Sequence, residues 1–179
     1  SKEMTQEEEA QYKQKEAQRV AIEAASKFFQ NSLPQAESFL TSRGYTLSDK
    51  VLSDFGVGYA PAGNLAMTEL SKEGFSLELL QKVDVIGSNE GRTYDRFRDR
   101  LMFPFYDMQG HVIGFSGRII TPKEGVGKYV NSAETQLFTK GKHIFGLFQA
   151  RKAIGKLGFA YLVEGQFDVI TLHKMGVEN

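Results

Sequence analysis

Between residues 5 and 30 a polar, charged lead-in gives way to Ala17, Ala21, Ala24, Ala25, Phe28 and Phe29 at helical spacing. That pattern predicts an amphipathic helix ended by the Asn31–Pro34 stretch. Short helices are predicted over 35–42, closed by Arg43-Gly44 as a glycine cap, from Ser48 as N-cap to Phe55, and over 64–73 and 76–83. Gly56–Pro61 reads as extended. Beyond residue 90 the period changes. Leu101–Tyr106 and His111–Phe115 are strand-like runs around the turn Asp107–Gly110, which predicts a hairpin. A helix is predicted over Leu147–Lys156, and Phe159–Val163 reads as a buried-type strand. Glu164-Gly165 turns into a helix from about Phe167 to Met175, with Phe167, Ile170, Leu172 and Met175 inward, and Val177 starts a further strand. Strand, turn, helix, strand is the opening of a βαβ unit. The chain ends before such a unit can build a sheet, so it reads as an excerpt of a longer protein.

Composition narrows the class. The 179 residues are 41% hydrophobic, enough for one sizeable core or two small ones. Cysteine is absent, which excludes disulfides, thiolate metal sites and a thiol nucleophile within this stretch. No apolar run approaches the roughly 20 residues that span a bilayer, and the polar N-terminus lacks a signal-peptide core. A soluble, cytoplasmic protein is the default expectation. The zero net charge hides an asymmetry: 91–158 hold twelve basic and five acidic residues, while 31–90 hold four and eight. A basic stretch in a neutral protein points to an anionic partner.

Four constellations can carry chemistry. Arg96, Arg98 and Arg100 alternate, so an extended backbone would set three guanidiniums on one face at a spacing that suits phosphates. An edge strand with arginines paired to Asp95 and Asp99 explains the pattern equally well. Gly114-Phe115-Ser116-Gly117-Arg118 allows close backbone approach to an anion, or is a bulge with a surface arginine. Lys128-Tyr129-Val130-Asn131-Ser132 and Phe138-Thr139-Lys140-Gly141-Lys142 interleave cations, Asn and aromatics, as a single-strand groove does. The alternative makes Tyr129, Phe138, Phe145 and Phe148 core residues, favoured for the last two. Glu164 leaves the C-terminal end of a strand where α/β sheets bind ligands, and Asp168 can face the same way, a pairing that suits Mg²⁺. As a bare pattern it is weaker than the plain reading, in which Glu164 stands at the helix start and Asp168 is a first-turn charge. The three histidines have no metal-ligand spacing, and no Walker A, G-x-G-x-x-G or Ser-His-Asp signature is present.

Taken in order, YDRFRDRLMFPFYDMQGHVIGFSGRII, KYVNSAETQLFTKGKHIFGLFQARKAI and YLVEGQFDVITLHKMG resemble the RNA polymerase domain of bacterial DnaG-type DNA primases. FLTSRGYTLSDKVLSDFGVGYAP resembles its helical N-terminal part, so the likeness covers about residues 12–179. It implies an α+β fold: a helical N-terminal part and a mixed β-sheet subdomain, followed by the first strand and helix of a Toprim (α/β) fold. The divisions implied are an N-terminal helix with charged lead-in over 1–30, the N-terminal subdomain of the catalytic core over 31–158 (helical to 90, basic and strand-rich after it), and the start of Toprim over 159–179.

The resemblance assigns Arg96, Arg98, Arg118, Lys128, Asn131 and Lys140 to a groove for template and nucleotides. It assigns Glu164 and Asp168 to catalysis and to an incomplete site for Mg²⁺ or Mn²⁺, with zinc only in a domain outside this chain. The implied partners are a single-stranded DNA template, ribonucleoside triphosphates, the RNA–DNA hybrid and, through other regions, a replicative helicase, with no membrane. The implied activity is nucleotidyl transfer in the intact protein, and this segment alone is expected to be inactive because the family's later D-x-D carboxylates are missing. Ser116 stands where the family usually has a glycine, and Gln166-Phe167 replaces its common Tyr-Met. A non-catalytic single-strand-binding module and another Toprim enzyme, a topoisomerase or nuclease, are the alternatives.

Overall fold

The computed structural model describes residues 3–179. The first helix, α1 (Gln6–Ser32), starts with a capping box in which the Thr5 side chain accepts from the Glu8 amide and the Glu8 carboxylate accepts from the Thr5 amide. Its buried face is Gln18, Ala21, Ile22, Ala25, Ser26, Phe29 and Ser32; of the expected stripe, Ala24 and Phe28 pack at the edge of that core and Ala17 alone is exposed. The Asn31–Pro34 stretch does not break the chain away. Pro34 lies in the first turn of a 3-10 segment (Leu33–Ala36), where its missing N–H costs nothing, and this leads straight into α2 (Glu37–Ser42). Gly44, at φ +83°, takes the left-handed position past α2, as expected.

Next come α3 (Lys50–Asp54), β1 (Gly58–Ala60), α4 (Leu65–Lys72) and α5 (Leu77–Lys82). The residue ahead of α3 is Asp49 rather than Ser48, and its carboxylate accepts from the Thr46 amide. A small hairpin, β2 (Ile86–Asn89) and β3 (Arg92–Asp95), precedes the main strands β4 (Arg100–Tyr106), β5 (Val112–Ile119) and β6 (Tyr129–Asn131). The main sheet runs β1-β4-β5-β6 and every pairing is antiparallel.

Helices cover both faces of that sheet, which explains why all eight residues of β5 are buried. On one face α1 sets Phe29 edge-on to Phe115, with ring centroids 5.2 Å apart. The approach is close enough that a Cβ on Gly58 would lie 2.5 Å from the Phe29 carbonyl carbon. On the other face Leu101 and Phe103 pack with Leu40, Leu52, Phe55 and Ile170. Ile170 belongs to the last helix, α7 (Gln166–Lys174), which follows α6 (Leu147–Leu157). The Lys174 ammonium donates to the Gly44 carbonyl (2.7 Å) and Asp49 (3.0 Å), and Tyr45 and Thr171 hydrogen-bond through their hydroxyls, fastening α7 to the turn after α2.

Two expectations fail here. Arg96, Arg98 and Arg100 do not share a strand face: β3 ends at Asp95, and Asp99 at φ +49° turns the backbone before β4 begins. Phe159–Val163 forms no strand ladder among the described residues, and Phe159, Tyr161 and Leu162 are 50%, 58% and 86% exposed. A strand of this type needs neighbours on both edges and faces. Here the Tyr161 amide donates to the Asn179 carbonyl (3.1 Å) and little else covers the run. For the same reason Met175 is 75% exposed rather than inward, whereas Ile170 is fully buried. No described helix is long and apolar enough to cross a membrane.

Candidate nucleic-acid interface

The β5–β6 register pairs Ser116 with Asn131 and Arg118 with Tyr129. Strand alternation puts these four side chains on one face, the face that Leu101 and Phe103 also point to. The N-terminus of α7 lies over it: Gln166 Nε2 donates to Ser116 Oγ at 3.1 Å. The Arg118 guanidinium stacks on Phe39 (4.9 Å to the ring centre) and Phe167 (5.7 Å) and donates to the Ile119 carbonyl (2.9 Å). Burial raises the Tyr129 hydroxyl above its usual value; the charges of Arg118 and Arg43 oppose that shift, and Asp168 adds to it. Arginines, phenol and carboxylate therefore act on one another across a single patch.

Arg43 is the residue that sequence reasoning missed. It stands over the same two rings as Arg118, 5.3 Å from Phe39 and 5.6 Å from Phe167. Its one local signal, the glycine that follows, marks the end of α2 and says nothing about where the side chain goes.

Glu164 and Asp168 sit at the start of α7. Asp168 Oδ2 accepts from the Gly165 amide (3.1 Å), so the plain reading of Asp168 as a first-turn acid holds. Glu164 is exposed and its carboxylate accepts no hydrogen bond among the described residues. Among the described residues no three His, Cys, Asp or Glu side chains gather as a metal site.

The remaining basic residues lie apart from this patch. Arg96, Arg98 and Arg100 line a groove of about 420 Å³ with Lys123 and the acids Asp95 and Asp99. Arg96 donates to the Asn131 carbonyl (3.4 Å) and pairs with Asp84 (3.4 Å). Arg98 donates to Asn64 Oδ1 (2.7 Å) and stands over Tyr94. Arg100 is 5% exposed and donates to the carbonyls of Gly117 (3.0 Å) and Lys128 (3.3 Å); burial lowers its pKa, and it braces the sheet. The Lys128 and Lys140 side chains are exposed and form no ion pair among the described residues, though the Lys140 amide donates to Glu134 (2.8 Å). Phe138 is 4% exposed, Phe145 packs against both cores, and Phe148 stacks on Tyr106. Phe138 and Phe145 belong to the core, while Phe148 is half-buried at its edge.

Known proteins share this arrangement. A DNA primase of Synechococcus elongatus is 42% identical over 166 residues, covering 88% of this chain and 24% of that protein. A Staphylococcus aureus DNA primase is 40% identical over 148 residues, covering 81% and 24%. The chain thus spans about a quarter of the length of the curated relatives it matches. Among solved structures, the Aquifex aeolicus primase (zinc-binding and RNA polymerase domains) superposes with a TM-score of 0.83 at 36% identity, over 93% of this chain and 41% of that one. The DnaG primase catalytic domain bound to ssDNA gives 0.80 at 33% identity, over 93% and 53%. The family profile described as "DNA primase catalytic core, N-terminal domain" matches residues 24–151, from the buried half of α1 through the sheet into α6. On that match, which takes in both layers and the arginine-bearing strands, the chain belongs to the family of the DNA primase catalytic core, N-terminal domain.

Proposed function

We propose that this chain is the template- and nucleotide-binding part of a primase that builds short RNA primers on single-stranded DNA. The observation that carries the reading is the patch in which Arg43, Arg118, Tyr129 and Asn131 stand beneath the acidic start of α7. Cations held by a strand (Arg118) and a helix end (Arg43) and steadied by aromatic rings suit phosphates, and a carboxylate pair at the patch edge suits the reacting end of a nucleotide. The DnaG catalytic domain solved with ssDNA supports the same partner for this chain. Arg96, Arg98, Lys128 and Lys140 extend the basic surface around β6 and hold successive phosphates of template or RNA–DNA hybrid, with ribonucleoside triphosphates entering beside α7. A replicative helicase binds elsewhere in the whole protein, and residues 159–179 open its Toprim fold. The match to the primase core disfavours a topoisomerase, a nuclease or a non-catalytic binding module.

Glu164 and Asp168 offer hard oxygen donors of the kind Mg²⁺ or Mn²⁺ takes. Among the described residues the Glu164 carboxylate has no hydrogen-bond or ion-pair partner, and one Asp168 oxygen is engaged by the Gly165 amide. When bound, such an ion stabilises charge that develops on phosphate oxygens. Two carboxylates are too few for a two-ion site, so residues 1–179 alone are expected to make no primer; detectable synthesis would overturn that.

The test is fluorescence anisotropy of a labelled single-stranded oligonucleotide across a salt series. Log affinity should fall linearly with log salt, and Arg118→Ala and Lys128→Ala should each reduce the slope by about 1. A slope unchanged by both substitutions would remove these residues from the interface.

A further inference from the structure

Asp84 occupies a backbone position that ordinary residues avoid. Its φ is +58°, in the left-handed region where Asp and Asn are tolerated and glycine is at ease. A non-glycine residue held there is a reason to ask what the side chain contributes. Its carboxylate, 15% exposed, makes two contacts at once. Oδ2 accepts from the Ala133 amide at 2.7 Å and lies 3.4 Å from Arg96 Nε. Ala133 follows Asn131 and Ser132 directly, where β6 gives way to the loop that carries Lys140. A single carboxylate thus ties the turn after α5 to the arginine segment and to the end of β6.

We infer that Asp84 is a positioning residue that holds the Arg96 guanidinium at a fixed place beside β6 for phosphate binding. This rests on the assignment of Arg96 to a phosphate of the nucleic acid. Arginine has five donors in a planar fork. Asp84 engages Nε, and the Asn131 carbonyl is reached by one terminal nitrogen at a long 3.4 Å, while the side chain stays 31% exposed. The ion pair draws the Nε edge of the guanidinium toward Asp84 and leaves terminal N–H groups for an anion. Long side chains lose rotamer entropy on binding, and Asp84 removes that loss beforehand. Arg98 has an analogous anchor in Asn64, which is neutral. Arg96 alone of the two is held by a charge.

Asp84→Asn separates this role from a purely structural one. Asn tolerates positive φ and its Oδ1 can still accept from Ala133, but it carries no negative charge to hold the Arg96 guanidinium. Binding of a labelled single-stranded oligonucleotide to the 179-residue chain is measured for the unaltered chain, Asp84→Asn, Arg96→Ala and the double variant. The expected result is a three- to tenfold loss for Asp84→Asn and no further loss when it is added to Arg96→Ala. Unchanged or tighter binding by Asp84→Asn overturns the proposal, since removing an acid without any positioning role favours an anionic ligand. Equal losses with and without Arg96 also overturn it, because Asp84 would then act through the fold. If Arg96→Ala itself has no effect, or the unaltered chain does not bind, the phosphate reading of Arg96 falls and takes the proposal with it. A loss for Arg96→Ala alone sinks only the proposal.

Discussion

Two strand-like runs of this chain end up in opposite environments, and the more apolar one is the more exposed. Val112–Ile119, with two glycines, a serine and an arginine, lies between β4 and β6, with α1 on one face and α7 on the other, and all eight residues are buried. Phe159–Val163 is apolar throughout, but Leu162 is 86% exposed and the run touches a neighbour's backbone chiefly through Tyr161 and Asn179. Strand formation belongs to the pair, not to the segment: hydrogen-bonding edges and covering faces must come from elsewhere in the chain. The RFRDR segment teaches the same lesson at single-residue scale. Arg100 is buried in the sheet and donates to two carbonyls, while Arg98, two residues earlier, is exposed.

The comparison can be broken in several ways, the largest expected effect coming first. Phe115→Ala, which empties the space facing Phe29 and Phe97, should cost about 3–5 kcal/mol in urea denaturation. Leu162→Ala should change stability by no more than about 0.5 kcal/mol. Comparable losses at both positions would show that the 159–163 run is packed after all. Gly58→Ala sets a methyl group against the Phe29 backbone and should cost about 1–3 kcal/mol, with hydrogen exchange rising in α1 and β1 together.

Arg100→Ala removes a donor from the Gly117 carbonyl and one of the two donors to the Lys128 carbonyl and should cost about 1–3 kcal/mol, against about 0.5 kcal/mol or less for Arg98→Ala. A reversed order would contradict the division between the buried and the exposed arginine. The smallest effect is a pH dependence. Burial lowers the His173 imidazole, while the nearby acids Glu178 and Asp54 pull the other way. Its folded-state value lies below the unfolded 6.5, so its share of stability is complete above 6.5 and is lost as pH falls through the folded value. Thermal melting at pH 7.5 and 5.5 should show a drop that shrinks in His173→Gln.

Much of the architecture was legible because it follows from local periodicity. The long first helix, the β4–β5 hairpin, α4 and α5, the α6 helix and the glycine cap at Gly44 all stand within a few residues of their expected bounds. The face of α1 follows the expected stripe from Ala21 to Phe29, where Phe29 meets Phe115, and departs from it at Ala17, which lies beyond the reach of the sheet. At the site, Arg118, Asn131, Glu164 and Asp168 could be picked out by motif. Arg43 could not, since only the packing of α2 against α7 brings it to Phe167. Nor could Asp84, whose partners are 12 and 49 residues away along the chain.

By itself, the sequence determined the elements, the family and the concentration of positive charge beyond residue 90, because periodicity, motif order and charge are properties of the string. Tertiary structure alone decided that Arg100 is buried in the sheet while Arg98 stays exposed, and which carboxylate holds Arg96. Each of those outcomes depends on a partner distant in the chain, and desolvation and hydrogen bonding are settled only when that partner arrives.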